Sequence, residues 1–286
     1  MIRRAGKIAQ ISRRVYSCCY DVEKNIVGHN DKDAALWAKA NSIRHAHIIR
    51  AIGDYAALSG DRELRILNSS GIGPGHQDFS VVDFLRANKE LVFSWEVLES
   101  PHSPYLGKDH FKNYIDKLKI KLTLGDFRRI EDFSVREGFY DVVLLTEIIE
   151  HLDHSVFLRL LGFISRTLKQ GGIMIVTTPN LLSMLNRIRI FFGKGDGPYW
   201  GDGMKDLENN IYGHIVNYSI DRLNRIFRES GFSVLKDYSY EFGYGPGEKS
   251  LKKRIGYKML ALVSCLFKNS AQSIFMICEN AVSLDN

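Results

Sequence analysis

The sequence RILNSSGIGPG, residues 65–75, decides the fold of this chain. Ile66 and Leu67 are the apolar end of a predicted strand, and glycines follow at positions 71, 73 and 75. Apolar residues at 81, 82 and 85 then have the spacing of one helical face. A strand, a glycine turn and a helix form the nucleotide site of doubly wound folds, because glycine lets the ligand approach and the helix start offers free N–H groups. A dinucleotide fingerprint would need glycine at 76, which is histidine here, so the spacing suits a different adenosyl ligand.

Acidic side chains follow the next two predicted strands. The second strand, residues 91–99, ends at Glu99, and a shorter strand would end at Glu96. Either carboxylate can accept both hydroxyls of a ribose, and either can instead be a surface charge. The third strand is followed by Asp126 and Phe127, where an ordinary turn is the competing interpretation.

Strands and helices continue to alternate to the end of the chain. The apolar run Val142–Leu145 predicts a strand buried on both faces. The pattern as a whole predicts an α/β fold, a doubly wound Rossmann-like sheet of seven strands with helices before it. We expect an N-terminal helical cap over 1–60, one sheet domain over 61–286, and a substrate-side insertion after strand five over 181–218. The later elements are a helix over 157–169 capped by Gly171 and Gly172, the fifth strand with its exit over 173–180, and strands over 232–238 and 273–278.

These motifs, in this order, resemble class I S-adenosylmethionine-dependent methyltransferases. The resemblance rests on the G-x-G-x-G turn, on E-x-x-E-H after strand four (147–151), and on the later runs LKQGG and TPN. It implies that S-adenosylmethionine is the cofactor. It also implies that the donor is bound by Ser69, Gly71, Gly73, Gly75, Glu99 or Glu96, Asp126 near the adenine amino group, Phe127 on the ring, and Thr146.

Ser69 departs from the family pattern, which usually has an acid two residues before the first glycine. A neutral hydroxyl binds an ammonium group less strongly than a carboxylate does. We therefore expect weaker donor affinity, or a compensating acid from elsewhere, and expect the substitution Ser69→Asp to tighten binding.

Glu147, Glu150 and His151 are the candidate chemical groups. On a helix, positions i, i+3 and i+4 share a face, and two carboxylates with an imidazole can bind Mg or another divalent metal. The pattern resembles ubiquinone-pathway O-methyltransferases and methyltransferases of small-RNA ends, and His214 lies where such proteins often place a further histidine. The metal ligands would be Glu147, Glu150, His151 and His214. Alternatively, Glu147 borders the donor, His151 is the general base or a plain helix residue, and no metal binds.

The acceptor is less constrained by the sequence. Residues 178–187 and 213–219 resemble bacterial methyltransferases of surface-polysaccharide and lipid-linked glycan synthesis, which implies a sugar hydroxyl as acceptor. A quinone-type or other small-molecule O-methyltransferase is the alternative enzyme. A catalytically silent subunit that binds S-adenosylmethionine is the non-enzymatic alternative.

The amino-acid composition limits which binding partners and which cellular compartment suit this chain. Lysine and arginine exceed the acids by 39 − 33 = 6, a modest excess that, without any added nucleic-acid module, does not favour a nucleic-acid substrate. Four cysteines without metal spacing or a disulfide framework are typical of a reducing cytoplasm. The basic N-terminus and the basic-then-apolar segment 251–267 would suit a lipid-linked sugar at the inner face of a membrane.

Overall fold

A computed structural model describes residues 2–60, 63–72, 77–87, 91–193, 214–241, 259, 262–264 and 266–281. Two long helices, α1 (Ile2–Val22) and α2 (Asp31–Ser59), come first, joined by a π-helical turn at Glu23–Val27. Asn30 caps α2, because its side chain accepts from the N–H groups of Lys32 and Asp33. No helix within the described ranges is both long and apolar enough to cross a bilayer.

Seven strands form one sheet in the order β3-β2-β1-β4-β5-β7-β6. The inner pairs are parallel, whereas β7 runs antiparallel to both β5 and β6. The doubly wound seven-stranded fold predicted from the sequence is therefore confirmed. In chain order the strands are β1 (Glu63–Asn68), β2 (Val92–Glu99), β3 (Lys121–Leu124), β4 (Tyr140–Thr146), β5 (Leu168–Pro179), β6 (Phe232–Tyr240) and β7 (Ser273–Asn280).

Helices cover both faces of the sheet. They are α3 (Gln77–Ala87), α4 (Asp109–Leu118), α5 (His154–Thr167), α6 (Met184–Phe191) and α7 (Ile220–Glu229). One core joins Val15 of α1 and Ile48 of α2 to Ile66 of β1, and the other packs Phe157 of α5 and Phe227 of α7 on the opposite face. The N-terminal helices thus share a core with the sheet. The boundary near residue 60 stays a prediction, since nothing tests it.

Two local expectations were wrong. The glycine pair 171–172 does not end a helix: α5 stops at Thr167, and the glycines lie within β5, where the shift in pairing between Tyr140 and Val142 accommodates them. The segment after β4 is not a continuous helix, because Glu147 has a left-handed backbone (φ 50°) and only Ile149–His151 form a short 3-10 turn before α5. Glu147, Glu150 and His151 therefore do not share the face of one helix, contrary to the expectation from their spacing.

Candidate active site

The turn after β1 lies where the parallel strands end. Ser69 donates to the carbonyl of Leu144 on β4 through its N–H (3.0 Å) and its hydroxyl (2.8 Å). Gly71 has φ 72°, a conformation that glycine adopts without strain. Gly73 and Gly75, which were also predicted to bind the donor, lie outside the described residues.

Glu99 closes the other side of this turn. Its carboxylate accepts from the N–H of Ile72 (2.7 Å) and from its own neighbour Ser100 (2.8 Å). A Cβ added at Gly71 would lie in ordinary contact with Glu99 Oε1, at 3.4 Å, so the positive φ rather than a lack of space favours glycine there. Burial raises the pKa of Glu99 above its ordinary value, although the two backbone donors oppose that shift.

Glu96 has a different environment from Glu99. Its carboxylate accepts from Thr123 (2.5 Å) and Tyr140 (2.8 Å) and pairs with Lys121 (2.9 Å). These partners lie on β3 and β4, and Glu96 itself lies three residues before β2 ends at Glu99. Of the two acids, the geometry favours Glu99 as the one that faces a ligand at the glycine turn.

A buried polar network supports the turn, and no pattern in the sequence predicted it. The Asn68 side chain donates to the Gly71 carbonyl (3.0 Å) and to both oxygens of Asp78 (2.9 Å each), while Trp95 Nε1 donates to Asp78 Oδ1 (2.7 Å). Asp78 is fully buried at the start of α3, and burial raises its pKa to about 7. Asp78 is thus an acid near the glycine turn, but its described partners are Asn68 and Trp95, so the expectation of a compensating acid for Ser69 stays a prediction.

Thr146, the last residue of β4, joins the turn to the rest of the site. Its N–H donates to the Ser70 hydroxyl (2.6 Å), and its own hydroxyl accepts from the Gln77 amide. Thr146 is buried, and through these two hydrogen bonds β4, the glycine turn and α3 meet at this residue.

Asp126 and Phe127 follow β3. The Asp126 carboxylate accepts from the Arg128 guanidinium (2.8 Å), and this hydrogen bond is the main reason that its pKa falls to about 2. The Phe127 ring packs on Phe133, with centroids 5.0 Å apart. The Gly125 N–H donates to the Glu99 carbonyl (3.0 Å), which brings this turn next to the end of β2.

Glu147 is paired with Arg44, a residue of α2 that the sequence argument missed. The Arg44 Nη2 lies 3.2 Å from Glu147 Oε2, and the two side chains are 6% and 18% exposed. Arg44 lies on a buried face of α2 that also carries Asn41 and His45, and one arginine within a helix is a weak signal in a sequence. The pair connects the N-terminal helices to the carboxyl end of β4.

Three of the four predicted metal ligands come together. Glu150, His151 and His214 each offer a ligand atom, and these atoms lie within 4.8 Å of one another. The N–H groups of Ile215 and Val216 donate to the Glu150 carbonyl (2.7 and 3.2 Å), and this holds His214 beside the 3-10 turn. Glu147 is not part of the group.

Burial sets the electrostatics of these three side chains. Burial is the largest cause that raises the pKa of Glu150 to about 8, and the Glu147 carboxylate adds to it, although Thr178 donates to Glu150 Oε2 (2.9 Å). Burial lowers the pKa of His214 to about 4. His214 Nδ1 is a buried atom without a hydrogen-bond partner among the described residues. His151 is 30% exposed, and its ring packs edge-on against that of His214, 4.9 Å between centroids.

Comparison with known proteins places this site in a family context. A family model described as a methyltransferase domain matches residues 71–237, more than half of the chain. No curated protein matches the chain. The fold is similar to a chain of the Haloferax volcanii complex between the Trm112 methyltransferase activator and its proposed methyltransferase (15% identity, TM-score 0.51, covering 90% of this chain and 99% of that one). It is also similar to a Galdieria sulphuraria protein proposed to be a sarcosine dimethylglycine methyltransferase (16% identity, TM-score 0.50, covering 85% and 88%).

Proposed function

Since the chain belongs to the methyltransferase-domain family and is an S-adenosylmethionine-dependent methyltransferase, we propose that its acceptor is a hydroxyl group, specifically that of a sugar in cell-surface glycan synthesis. The observation that carries the hydroxyl is the cluster of Glu150, His151 and His214 beside the end of β4. A sulfonium methyl group is already activated, so the protein mainly aligns the acceptor. A hydroxyl must also lose its proton, which needs a base or a cation.

His151 is the residue we assign as the general base. Near neutral pH burial keeps Glu150 protonated and His214 uncharged, whereas the His151 ring is partly exposed at the end of β4 and open to an acceptor. Glu147 was the other catalytic candidate. Its pairing with Arg44 supports a positioning role, in which the ion pair fixes the chain between β4 and the 3-10 turn.

The same cluster supports an alternative to His151 as base, in which a divalent cation is held by Glu150, His151 and His214 and activates the hydroxyl in its place. The buried His214 Nδ1 without a partner and the carboxylate that burial keeps protonated are both groups that a cation would satisfy. A bound cation would lower the pKa of an acceptor hydroxyl. One carboxylate and two imidazoles suit Mn, Fe or Zn better than Mg, which prefers oxygen ligands.

Thermal unfolding with added Mn²⁺, Zn²⁺ or Mg²⁺ tests this site without requiring activity. We expect Mn²⁺ or Zn²⁺ to raise the Tm of the wild-type protein and to leave the Tm of Glu150→Gln unchanged. Glu147→Gln is the matched control, since Glu147 lies outside the cluster and should retain the response. Equal responses of wild type and Glu150→Gln, together with activity that persists in EDTA, would leave His151 as a lone base.

The sugar acceptor is the finer part of the proposal, and it is supported by the resemblance of residues 178–187 and 213–219 to glycan-associated methyltransferases. A radiolabelled methyl-transfer screen over lipid-linked sugars, free sugars, catechols and RNA tests it. Label in the lipid-linked sugars is the expected result, and label in catechols would favour the quinone-type alternative. Tight S-adenosylhomocysteine binding with no labelled product would favour the catalytically silent subunit. Ser69 in place of the usual acid is the departure from the family pattern that keeps this alternative open.

A further inference from the structure

Exposed apolar side chains are concentrated at one place in this protein. Among the described residues, ten of the sixteen large exposed hydrophobic side chains lie in 182–192 and 259–267. Phe191 is 84% exposed and Leu266 is 80% exposed. We call eight of these side chains the apolar ledge: Ile188, Ile190, Phe191, Phe192, Leu262, Val263, Leu266 and Phe267.

Hydrogen bonds bring the two halves of the ledge to the same point of the fold. The N–H of Met184, the first residue of α6, donates to the carbonyl of Ser270 (2.7 Å). The Ser270 hydroxyl in turn donates to the carbonyls of Ser264 (2.8 Å) and Phe267 (2.9 Å). Asn180 completes the junction, since its side chain donates to the carbonyl of Asn269 (2.9 Å). Both halves therefore start beside the carboxyl end of β5.

The same two stretches, like the basic N-terminus, have a local excess of positive charge. Residues 181–193 and 251–269 contain seven lysines and arginines and no acid. The remainder of the chain has 39 − 7 = 32 basic and 33 acidic residues, a balance of −1, so these stretches account for the whole positive excess. Within the described part, Arg187, Arg189 and Lys268 accompany the ledge.

We propose that the apolar ledge docks on the surface of an anionic phospholipid bilayer. Exposed aromatic and aliphatic side chains next to cations are the composition that binds in the interface of an anionic membrane. Glu241 is an acid in contact with this region, because its carboxylate accepts from the Ser264 hydroxyl, but burial raises its pKa above the ordinary value. A second copy of the chain is a poorer occupant, because the same cations would face each other across a two-fold contact. The inference goes beyond methyl transfer and does not depend on it.

β5 connects the ledge to the proposed acceptor side. Thr178, which donates to Glu150 Oε2 (2.9 Å), lies on β5 two residues before Asn180, whose side chain donates to the carbonyl of Asn269 beside the ledge. A bilayer docked on the ledge would therefore approach the end of β5 from which Thr178 contacts Glu150.

Vesicle co-sedimentation tests the docking with the full-length protein. The vesicles are phosphatidylcholine alone or phosphatidylcholine with phosphatidylglycerol. We expect binding to the anionic vesicles, less binding at high salt, and at least about a tenfold loss of binding in Phe191→Glu/Phe192→Glu, because two exposed aromatic side chains no longer enter the interface. Leu58→Glu is the matched control, since Leu58 is 87% exposed at the end of α2, and it should bind as wild type does.

Two results would overturn the proposal. The first is a wild-type protein that stays in the supernatant with anionic vesicles, or a double variant that sediments as well as Leu58→Glu. The second is a wild-type dimer in lipid-free sedimentation velocity that the double variant abolishes, which would assign the ledge to a second copy. Unchanged S-adenosylhomocysteine affinity of the double variant verifies that it is folded, and it separates this test from that of the proposed acceptor.

Discussion

Removal of the Arg44 guanidinium should destabilise the protein through the Glu147 side chain. In Arg44→Met the backbone of Glu147 keeps its place, since the Glu147 N–H donates to the Thr177 carbonyl (2.8 Å), but the Glu147 carboxylate loses the cation 3.2 Å away. Methionine retains most of the apolar length of arginine, so the change removes charge more than volume.

The expected magnitude follows from the burial of the pair. Removing one partner of a fully buried ion pair costs about 3–5 kcal/mol. Arg44 is 6% exposed, whereas Glu147 is 18% exposed and can recover some hydration, so we expect a loss of about 2–3 kcal/mol in the free energy of unfolding. Arg50→Met is the matched control on the same helix. It breaks the half-exposed pair of Arg50 with Asp54 (2.7 Å) and should cost less than about 1 kcal/mol.

A double-mutant cycle measured by urea unfolding at pH 7 isolates the interaction. The four proteins are wild type, Arg44→Met, Glu147→Gln and the double variant. We expect a coupling energy of about 2 kcal/mol that changes little with salt, because the pair is shielded from solvent. A coupling energy below about 0.5 kcal/mol would refute the assignment of this pair as the connection between α2 and the end of β4.

Three further predictions concern the ligand site. In Glu150→Gln, the free energy of unfolding relative to wild type should rise as the pH increases from about 5 to 8. In the folded wild-type protein Glu150 retains, up to a pKa of about 8, a proton that the unfolded chain has already released, so the stability of wild type falls over this window. A difference in free energy of unfolding between the two proteins that does not change with pH would count against the buried carboxyl. Calorimetry with S-adenosylhomocysteine should detect about a tenfold or greater loss of affinity in Glu99→Gln, whereas Glu96→Gln should lower stability instead; equal losses of affinity would contradict the distinction. Ser69→Asp should weaken the binding of S-adenosylhomocysteine, because the buried Ser69 hydroxyl donates to the Leu144 carbonyl and a carboxylate there would face that oxygen. Tighter binding would restore the expectation drawn from the sequence.

Local patterns predicted the elements of this fold well. Strand and helix periodicity depends on neighbouring residues alone, and the apolar run of β4 and the glycine turn after β1 are strong signals of that kind. Boundaries were less predictable where pairing between strands decides them. The glycines at 171 and 172 are typical of a helix cap, yet the ladder with β4 extends β5 through them.

The sequence by itself determined the doubly wound sheet, the glycine turn, and the acid after the second strand, since all three follow from residue type and order along the chain. Only the tertiary structure decided how the site is assembled. Arg44 reaches Glu147 from the N-terminal helices, Asp78 supports the turn beside Ser69, and His214 joins Glu150 through a segment held by the Glu150 carbonyl. These contacts join residues far apart in sequence, and the free energy of burying each charge depends on the partner that packing supplies.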